Sequence, residues 1–282
     1  MRKILLLPVF FVLFVTAAAA ELGDNTPTLV TDPGQAFVSG SIVVKGEGAA
    51  PADRSFTGAQ KRIMALRAAK VVALREVAEI VDGVAVNGET TVVNAMNESD
   101  VVRTTVQGLI KGAQVVKEAY DPLSEMAVVY VSVPMTGPNG LIGALLPQVA
   151  PMYPFGAPPF LPPAGTTQTG AYDGLILDVR GQPFKPALIN RVLTDEGEVV
   201  YDPASVAQEI LVERGAAEYT NDIGKARALL GERGSTNPLV VKAGGVVKST
   251  DVKIPSNDAG VIFSSNQSSN FLEGAKVVFV LQ

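Results

Sequence analysis

Three residue types are missing from this chain of 282 residues: cysteine, histidine and tryptophan. Without histidine and cysteine, the common zinc and copper ligand sets, thiol nucleophiles and the Ser-His-Asp triad cannot be built. Only carboxylate, lysine or tyrosine chemistry remains, and the sequence predicts no catalytic residue, no metal site and no cofactor. Because disulfides are also excluded, the fold has to depend on its core, for which a hydrophobic content of 47% is sufficient.

Basic residues are slightly fewer than acidic residues in this chain. The chain has 23 Lys and Arg against 28 Asp and Glu, which gives a net charge of −5. Without Arg2 and Lys3 the basic residues fall from 23 to 21, and the charge becomes −7. Since the phosphates of nucleic acids require a basic surface, this balance argues against a nucleic-acid partner.

The first twenty residues have the pattern of a secretory signal peptide. Arg2 and Lys3 precede an apolar run over 4–15, and small residues over 16–20 satisfy the cleavage rule at Ala20. The apolar run is shorter than the roughly 20 residues that span a bilayer, although an uncleaved N-terminal anchor is the alternative interpretation. We therefore expect cleavage near Ala20, a periplasmic or secreted protein, and no transmembrane span in the mature chain.

Composition divides the rest of the chain into four segments. A polar lead-in covers 21–35, a first domain 36–136, a proline-rich uncharged segment 137–171, and a second domain 172–282. Strands and short helices alternate irregularly in both domains, which predicts the α+β class with two small α/β sandwich domains. The oligomeric state cannot be inferred from these patterns.

The first domain is predicted to have the order β-α-β-α-β-β. Strand patterns cover 36–45 and 84–93, and helical patterns cover 59–81 and 99–110. Within the second strand pattern, Asn87-Gly88 indicates a bulge or a turn. Two further strands are joined by the turn residues 121–124. In this arrangement the helices cover one face of a sheet.

The helix predicted over 59–81 has the strongest periodicity in the chain. Thr57 or Ser55 is its candidate N-cap, and Gly83 its end. Apolar positions three or four residues apart predict a buried face: Ile63, Leu66, Ala69, Ala73, Val77 and Ile80. Two acidic residues, Glu76 and Glu79, partly balance the positive charge of the helix, which favours a solvated face over a binding site. The cationic residues are Lys61, Arg62, Arg67, Lys70 and Arg75.

The first domain resembles a known family. The run RAAKVVALREVAEIVDGVAVNGETTV and the closing VVYVSVPM are similar to the domain shared by the bacterial Lpp-twenty lipoprotein family and the N-terminal part of flagellar assembly protein T. The resemblance covers about residues 36–136. It implies an exported envelope protein without known enzymatic activity, in some relatives tied to flagellar or outer-membrane assembly. This chain lacks the lipidated cysteine of the lipoprotein members.

The segment between Glu125 and Asp173 contains no charged residue. Nine of the chain's 19 prolines lie between 134 and 170, which is typical of a stiff linker. Its apolar residues favour either packing on the chain's own domains or docking to a partner or membrane surface. The candidate contact residues are Leu141, Ile142, Leu145, Leu146, Tyr153, Phe155 and Phe160.

The second domain is predicted to begin with a strand over 172–181. A hairpin follows around 195–197, then helices that start near Pro203 and at Asp222, β-like stretches over 238–255, a helix from Ser256 and a last strand. These elements again indicate an α+β domain.

Two functions fit these observations. The first is a non-enzymatic scaffold or assembly factor for an outer-membrane or flagellar component, with an envelope or flagellar-base protein as its partner. The alternative is a carboxylate-only hydrolase acting on an envelope polysaccharide, centred on Asp178 with Asp173, Asp195 or Glu196. A strand-end ion pair between Asp178 and Arg180 is the competing interpretation of that site. Small-ligand binding between the domains is a third possibility.

Overall fold

The computed structural model describes residues 26–163 and 171–282. In these residues the chain forms eight α-helices and eleven strands arranged in three sheets, so the protein belongs to the α+β class. The predicted signal peptide over 1–20, the start of the lead-in and residues 164–170 of the uncharged segment lie outside the described residues.

The first part of the chain is a three-stranded sheet with helices packed on it. Its elements are α1 (Pro33–Ser39), β1 (Ser41–Ala49), α2 (Gly58–Gly83), α3 (Val92–Glu98), α4 (Asp100–Lys111), β2 (Gln114–Asp121) and β3 (Met126–Pro134). The strands are antiparallel in the order β1-β3-β2. Burial alternates along β1 and β3, and the buried face packs against α2.

Small residues explain how closely α2 approaches β1. A Cβ atom on Gly46 would lie 2.1 Å from the backbone oxygen of Ala69, and one on Gly48 would lie 2.5 Å from that of Ala65. The alanines of α2 and the glycines of β1 therefore face each other, and any larger side chain on the strand would push the helix off the sheet.

The strand predicted over 36–45 starts too early. Asp32 caps α1 by accepting a hydrogen bond from the backbone N–H of Gln35, Pro33 occupies its first turn, and Gly40 ends it with a φ of 73°. These local signals outweigh the β-branched residues of the stretch, and the strand begins only at Ser41. The boundary expected at residue 36 falls inside this helix.

The strand predicted over 84–93 is wrong, although the turn indicated at Asn87-Gly88 is present. Only a single bridge joins Ala85 to Thr91, because the side-chain oxygen of Asn87 accepts hydrogen bonds from the backbone N–H groups of Glu89 and Thr90 and closes a tight turn. The chain then enters α3 at Val92. The observed order is thus α-β-α-α-α-β-β rather than β-α-β-α-β-β.

Other local predictions in this part are confirmed. Thr57 forms a capping box with Gln60 at the start of α2, Ser99 caps α4, and Asp121 accepts hydrogen bonds within the turn of the hairpin. The buried face of α2 differs in detail, since Ile63 is exposed and Ala65 is buried.

The uncharged segment and the second part of the chain contain the remaining elements. These are α5 (Leu141–Val149), β4 (Gly174–Asp178), β5 (Val192–Thr194), β6 (Val199–Tyr201), α6 (Gln208–Arg214), β7 (Glu218–Thr220), α7 (Ile223–Glu232), β8 (Pro238–Lys242), β9 (Gly245–Val247), β10 (Asp251–Ile254), α8 (Ser256–Ser269) and β11 (Val277–Val280). Short 3-10 turns at Ala150–Met152 and Pro203–Ser205 follow α5 and precede α6.

The second part has two sheets. In the first, of order β7-β11-β4-β8, every neighbouring pair is parallel, and β11 is completely buried, as expected for a sheet covered on both faces. The second has the order β6-β5-β10-β9 and mixed directions. The predicted hairpin at 195–197, the Asp222 cap and the terminal strand are confirmed, whereas α6 begins five residues after Pro203.

Across both described ranges, the helices are all too short or too polar to cross a membrane.

Candidate functional site: the junction between the two parts

Helix α5 is the central element of the junction. It packs against α4 of the first part and α6 of the second. Gly143 permits this approach, because a Cβ atom there would lie 2.3 Å from the backbone oxygen of Gly137 and 2.6 Å from that of Val212 in α6. Gln148 adds a hydrogen bond of 3.1 Å from its side-chain nitrogen to the hydroxyl of Thr105 in α4.

The candidate contact residues of the uncharged segment mostly face the protein's own core. Five of the seven are buried: Leu141, Ile142, Leu145, Leu146 and Phe160. They cannot form an outer docking surface in this structure, since apolar side chains of the same chain surround them. Of the two interpretations, packing on the chain's own domains applies to these five, and the segment is not a solvated linker.

The other two contact residues, Tyr153 and Phe155, lie around Arg191. The guanidinium of Arg191 is 4.7 Å from the centre of the Phe155 ring, a cation–π contact, and it donates a hydrogen bond of 2.9 Å to the backbone oxygen of Tyr153. It also forms a buried ion pair of 2.7 Å with Asp202. Arg191 therefore ties the uncharged segment to the second part of the chain.

Tyr153 extends this link to the first part. Its hydroxyl donates a hydrogen bond of 2.7 Å to the carboxylate of Glu98 at the end of α3. Partial burial, together with this hydrogen bond, raises the pKa of Tyr153 to about 12. The phenol thus stays protonated at neutral pH and remains a donor.

Asn190 uses both ends of its side-chain amide to join segments of the second part beside the junction. Its oxygen accepts hydrogen bonds from the Tyr219 hydroxyl at 2.6 Å and the backbone N–H of Ala187 at 2.8 Å, and its nitrogen donates to the backbone oxygen of Thr250 at 2.6 Å. Burial raises the pKa of Tyr219 far above its ordinary value. A satisfied buried amide of this kind fixes the relative position of the segments that it joins.

Asp251 is a buried carboxylate next to the same cluster. Its oxygen accepts a hydrogen bond of 3.1 Å from the backbone N–H of Arg191. Burial raises the pKa of Asp251 above its ordinary value, and the hydrogen bond and the positive charge of Arg191 oppose this shift. The carboxylate is therefore held mainly by backbone contact and proximity to Arg191.

Backbone contacts complete the junction. The N–H groups of Leu188 and Ile189 donate to the backbone oxygens of Ala85 and Val86, at 2.9 and 2.8 Å. Beside them, a Cβ atom on Gly88 would lie 2.1 Å from the backbone oxygen of Lys248, so only glycine permits this contact. The turn that replaced the predicted strand thus docks onto the second part.

Aromatic rings cross the same boundary. Phe37 of α1 meets Tyr219 of β7 edge to face at 5.1 Å, and Tyr219 stacks on Phe279, which stacks on Phe184. One continuous cluster of buried apolar residues extends from β1 through α5 to β11. The two parts therefore share a core.

Three of the four carboxylates of the predicted hydrolase site, those of Asp173, Asp178 and Glu196, accept hydrogen bonds, and Asp195 is exposed. Arg180 binds both oxygens of Asp178, at 2.8 and 2.7 Å, and its side-chain hydrogen bond is the largest cause that lowers the pKa of that carboxyl. Asp173 accepts hydrogen bonds from the loop over 235–237, and Glu196 accepts one from Ser256. Asp178, the residue at the centre of the hydrolase hypothesis, therefore forms the strand-end ion pair with Arg180.

An open cleft lies beside the junction, between α1 and the end of the chain. Its volume is about 430 Å³, and it is lined among others by Val38, Pro186, Asn221 and Gln282. Its lining residues come from both parts of the chain.

The junction residues Asn190, Arg191 and Tyr219 were not predicted from the sequence. A signal was present in the apolar run over 187–193, which the polar pair Asn190 and Arg191 interrupts. Polar residues in the middle of a buried run require partners, so this interruption is the pattern that could have indicated them.

Together these contacts define an α+β protein in which helix α5, backbone hydrogen bonds and a common apolar core hold two parts of one chain against each other. A family model described as the second domain of Treponema pallidum Tp0624 matches residues 174–282, and the second part of this chain is similar to that domain. The match covers less than half of the chain and does not include residues 36–136, on which the resemblance of the first part rests. A comparison with curated proteins gives no match.

Proposed function

We propose that this protein is a non-enzymatic, exported envelope protein that acts as a scaffold or assembly factor for an outer-membrane or flagellar component. The observation that supports this proposal is the junction. There the backbone hydrogen bonds of Leu188 and Ile189, the Tyr153–Glu98 hydrogen bond and the Phe37–Tyr219 ring contact hold one part of the chain in a fixed position against the other. A scaffold needs such a fixed spacing, because the surfaces that it presents to partners must keep their relative orientation.

Two sequence features support the cellular part of the proposal. The pattern of residues 1–20 favours export. The resemblance of residues 36–136 to the Lpp-twenty and flagellar assembly families favours a role in the envelope. The hydrolase alternative has less support, because Asp178 is bound by Arg180 through both carboxylate oxygens.

Crosslinking in intact cells tests the proposed function. We expect the protein to be recovered from the envelope fraction with an N-terminus near Glu21 and to crosslink to an outer-membrane or flagellar-base component that mass spectrometry identifies. The matched comparison is Asp178→Asn, which removes the charge of the hydrolase candidate and is expected to leave the crosslinks unchanged. Recovery of only uncrosslinked monomer from cells that contain abundant protein would refute the scaffold proposal.

A further inference from the structure

The outward face of α2 concentrates positive charge. The stretch over 59–75 contains five cationic residues and no acidic one, in a chain whose net charge is −5. Lys61 is paired with Glu125 at 2.6 Å. The other four are exposed, and none of them forms an ion pair within the part of the chain that the structure describes: Arg62, Arg67, Lys70 and Arg75.

Exposed apolar side chains lie among these cations. Ile63 is 51% exposed, Val71 57% and Met64 37%. Ile63, Arg67 and Val71 follow each other at intervals of four residues, so they form one ridge on the helix surface. The face of α2 that packs on the sheet is the opposite one, with Ala69 at its centre. The apolar side chains of the ridge therefore have no partner in the sheet.

The acidic residues that balance α2 in the sequence lie in its last two turns, beyond the ridge. Glu76 and Glu79 line a cavity of about 380 Å³ together with Lys45 and Ile80, at the end of the helix that meets the lead-in. The balance between cations and acidic residues, which favoured a merely solvated face, therefore does not hold for the ridge. Its positive charge remains available to an outside anion.

We propose that this ridge of α2 binds a membrane surface that carries anionic phospholipid headgroups. Charge complementarity identifies the occupant: arginine and lysine bind the lipid phosphates, and the apolar side chains between them enter the boundary of the acyl chains. Because the chain as a whole is acidic, its other faces are repelled by the same surface, which orients the protein with α2 towards the lipid. The inference rests on the proposed envelope location only for its biological setting.

Vesicle flotation tests the proposal directly. The protein is the chain from Glu21, which keeps every described residue and omits the apolar run over 4–15 that would itself partition into lipid. We expect binding to vesicles of phosphatidylglycerol and phosphatidylcholine, little binding to phosphatidylcholine alone, and release at high salt. Combined replacement of Arg62, Arg67 and Lys70 by Gln should weaken binding at least about tenfold.

Two further variants make the experiment specific. Lys225→Gln with Arg227→Gln removes exposed cations from α7 and should leave vesicle binding unchanged. Ile63→Asn with Val71→Asn keeps every charge and should reduce the binding that remains at high salt. All of these side chains are exposed, so circular dichroism is expected to show unchanged folding.

Equal binding to neutral and anionic vesicles, or full binding by the variant without Arg62, Arg67 and Lys70, would overturn the lipid proposal. A face that instead binds an acidic protein would show no vesicle binding, but its crosslinks in cells would disappear in the same variant. That result would also overturn the lipid proposal and would leave the scaffold function standing. Vesicle binding without any cellular crosslink would support the lipid proposal and refute the scaffold function.

Discussion

The hydroxyl of Tyr219 donates a hydrogen bond of 2.6 Å to the side-chain oxygen of Asn190, and both side chains are buried where the two parts of the chain meet. Tyr219 belongs to β7, and its ring contacts Phe37 of α1. Asn190 precedes β5 and reaches Thr250 before β10. This pair therefore connects the first part of the chain with both sheets of the second.

Replacement of Tyr219 by Phe should lower the free energy of unfolding by about 1–2 kcal/mol, because Asn190 loses one of its donors while the ring contacts remain. Urea unfolding followed by circular dichroism measures the change. Tyr130→Phe, at a half-buried position on the open face of the first sheet, should change stability by less than about 0.5 kcal/mol. Equal effects of the two substitutions would contradict the role given to Tyr219.

Replacement of Leu145 by Ala should destabilise the protein by about 2–5 kcal/mol, because Leu145 is fully buried in α5 and its loss leaves a cavity. The matched control is Leu161→Ala in the same uncharged segment, where the side chain is 68% exposed and the expected change is below about 0.5 kcal/mol. Thermal and urea unfolding measure both. A docking segment without a core role would give small losses of stability at both positions.

A methyl group on Gly143 should be poorly tolerated. Gly143→Ala places a Cβ atom 2.3 Å from the backbone oxygen of Gly137 and 2.6 Å from that of Val212 in α6, so α5 must move away from both at a cost of about 1–3 kcal/mol. Gly108→Ala in the neighbouring helix α4 meets nothing within 4 Å and should stabilise the protein by about 0.5–1 kcal/mol through helix propensity. Opposite signs of the two changes in urea unfolding are the expected result.

The ionisation of Asp173 should make the free energy of unfolding depend on pH in the acidic range. Burial raises the pKa of its carboxyl, but hydrogen bonds from Ser235, Thr236 and Asn237 outweigh burial and hold that pKa well below its ordinary value. The folded state therefore gains stability wherever the unfolded carboxyl is ionised, above about pH 4, and loses it as the pH falls towards the folded pKa.

Asp173→Asn should consequently be less stable than the parent protein at neutral pH, by about 1–3 kcal/mol, and the difference should shrink on acidification below about pH 4. Urea unfolding at a series of pH values measures it. Asp100→Asn, at an exposed surface pair with Arg103, should leave the pH dependence unchanged. A constant difference between Asp173→Asn and the parent at all pH values would contradict the pKa argument.

Several elements were predictable because their signals are local. Thr57 with Gln60, Ser99 and Asp222 cap helices through contacts three residues away, and the periodicity of α2 reports its burial within a few turns. Where two local signals competed, as at α1, the cap and Pro33 overrode the strand propensity of the following residues. Prediction failed there because β propensity depends on pairing partners that the sequence alone does not identify.

The sequence by itself determined the α+β class, the main helices and the hairpins, and it excluded disulfides and histidine or cysteine chemistry. Only the tertiary structure decided that α5 is part of the core and which groups Asn190 and Arg191 contact beside the junction. The physical reason is distance along the chain: the partners Thr250 and Asp251 are each 60 residues away, and only the pairing of β5 with β10 in the folded second part brings them together.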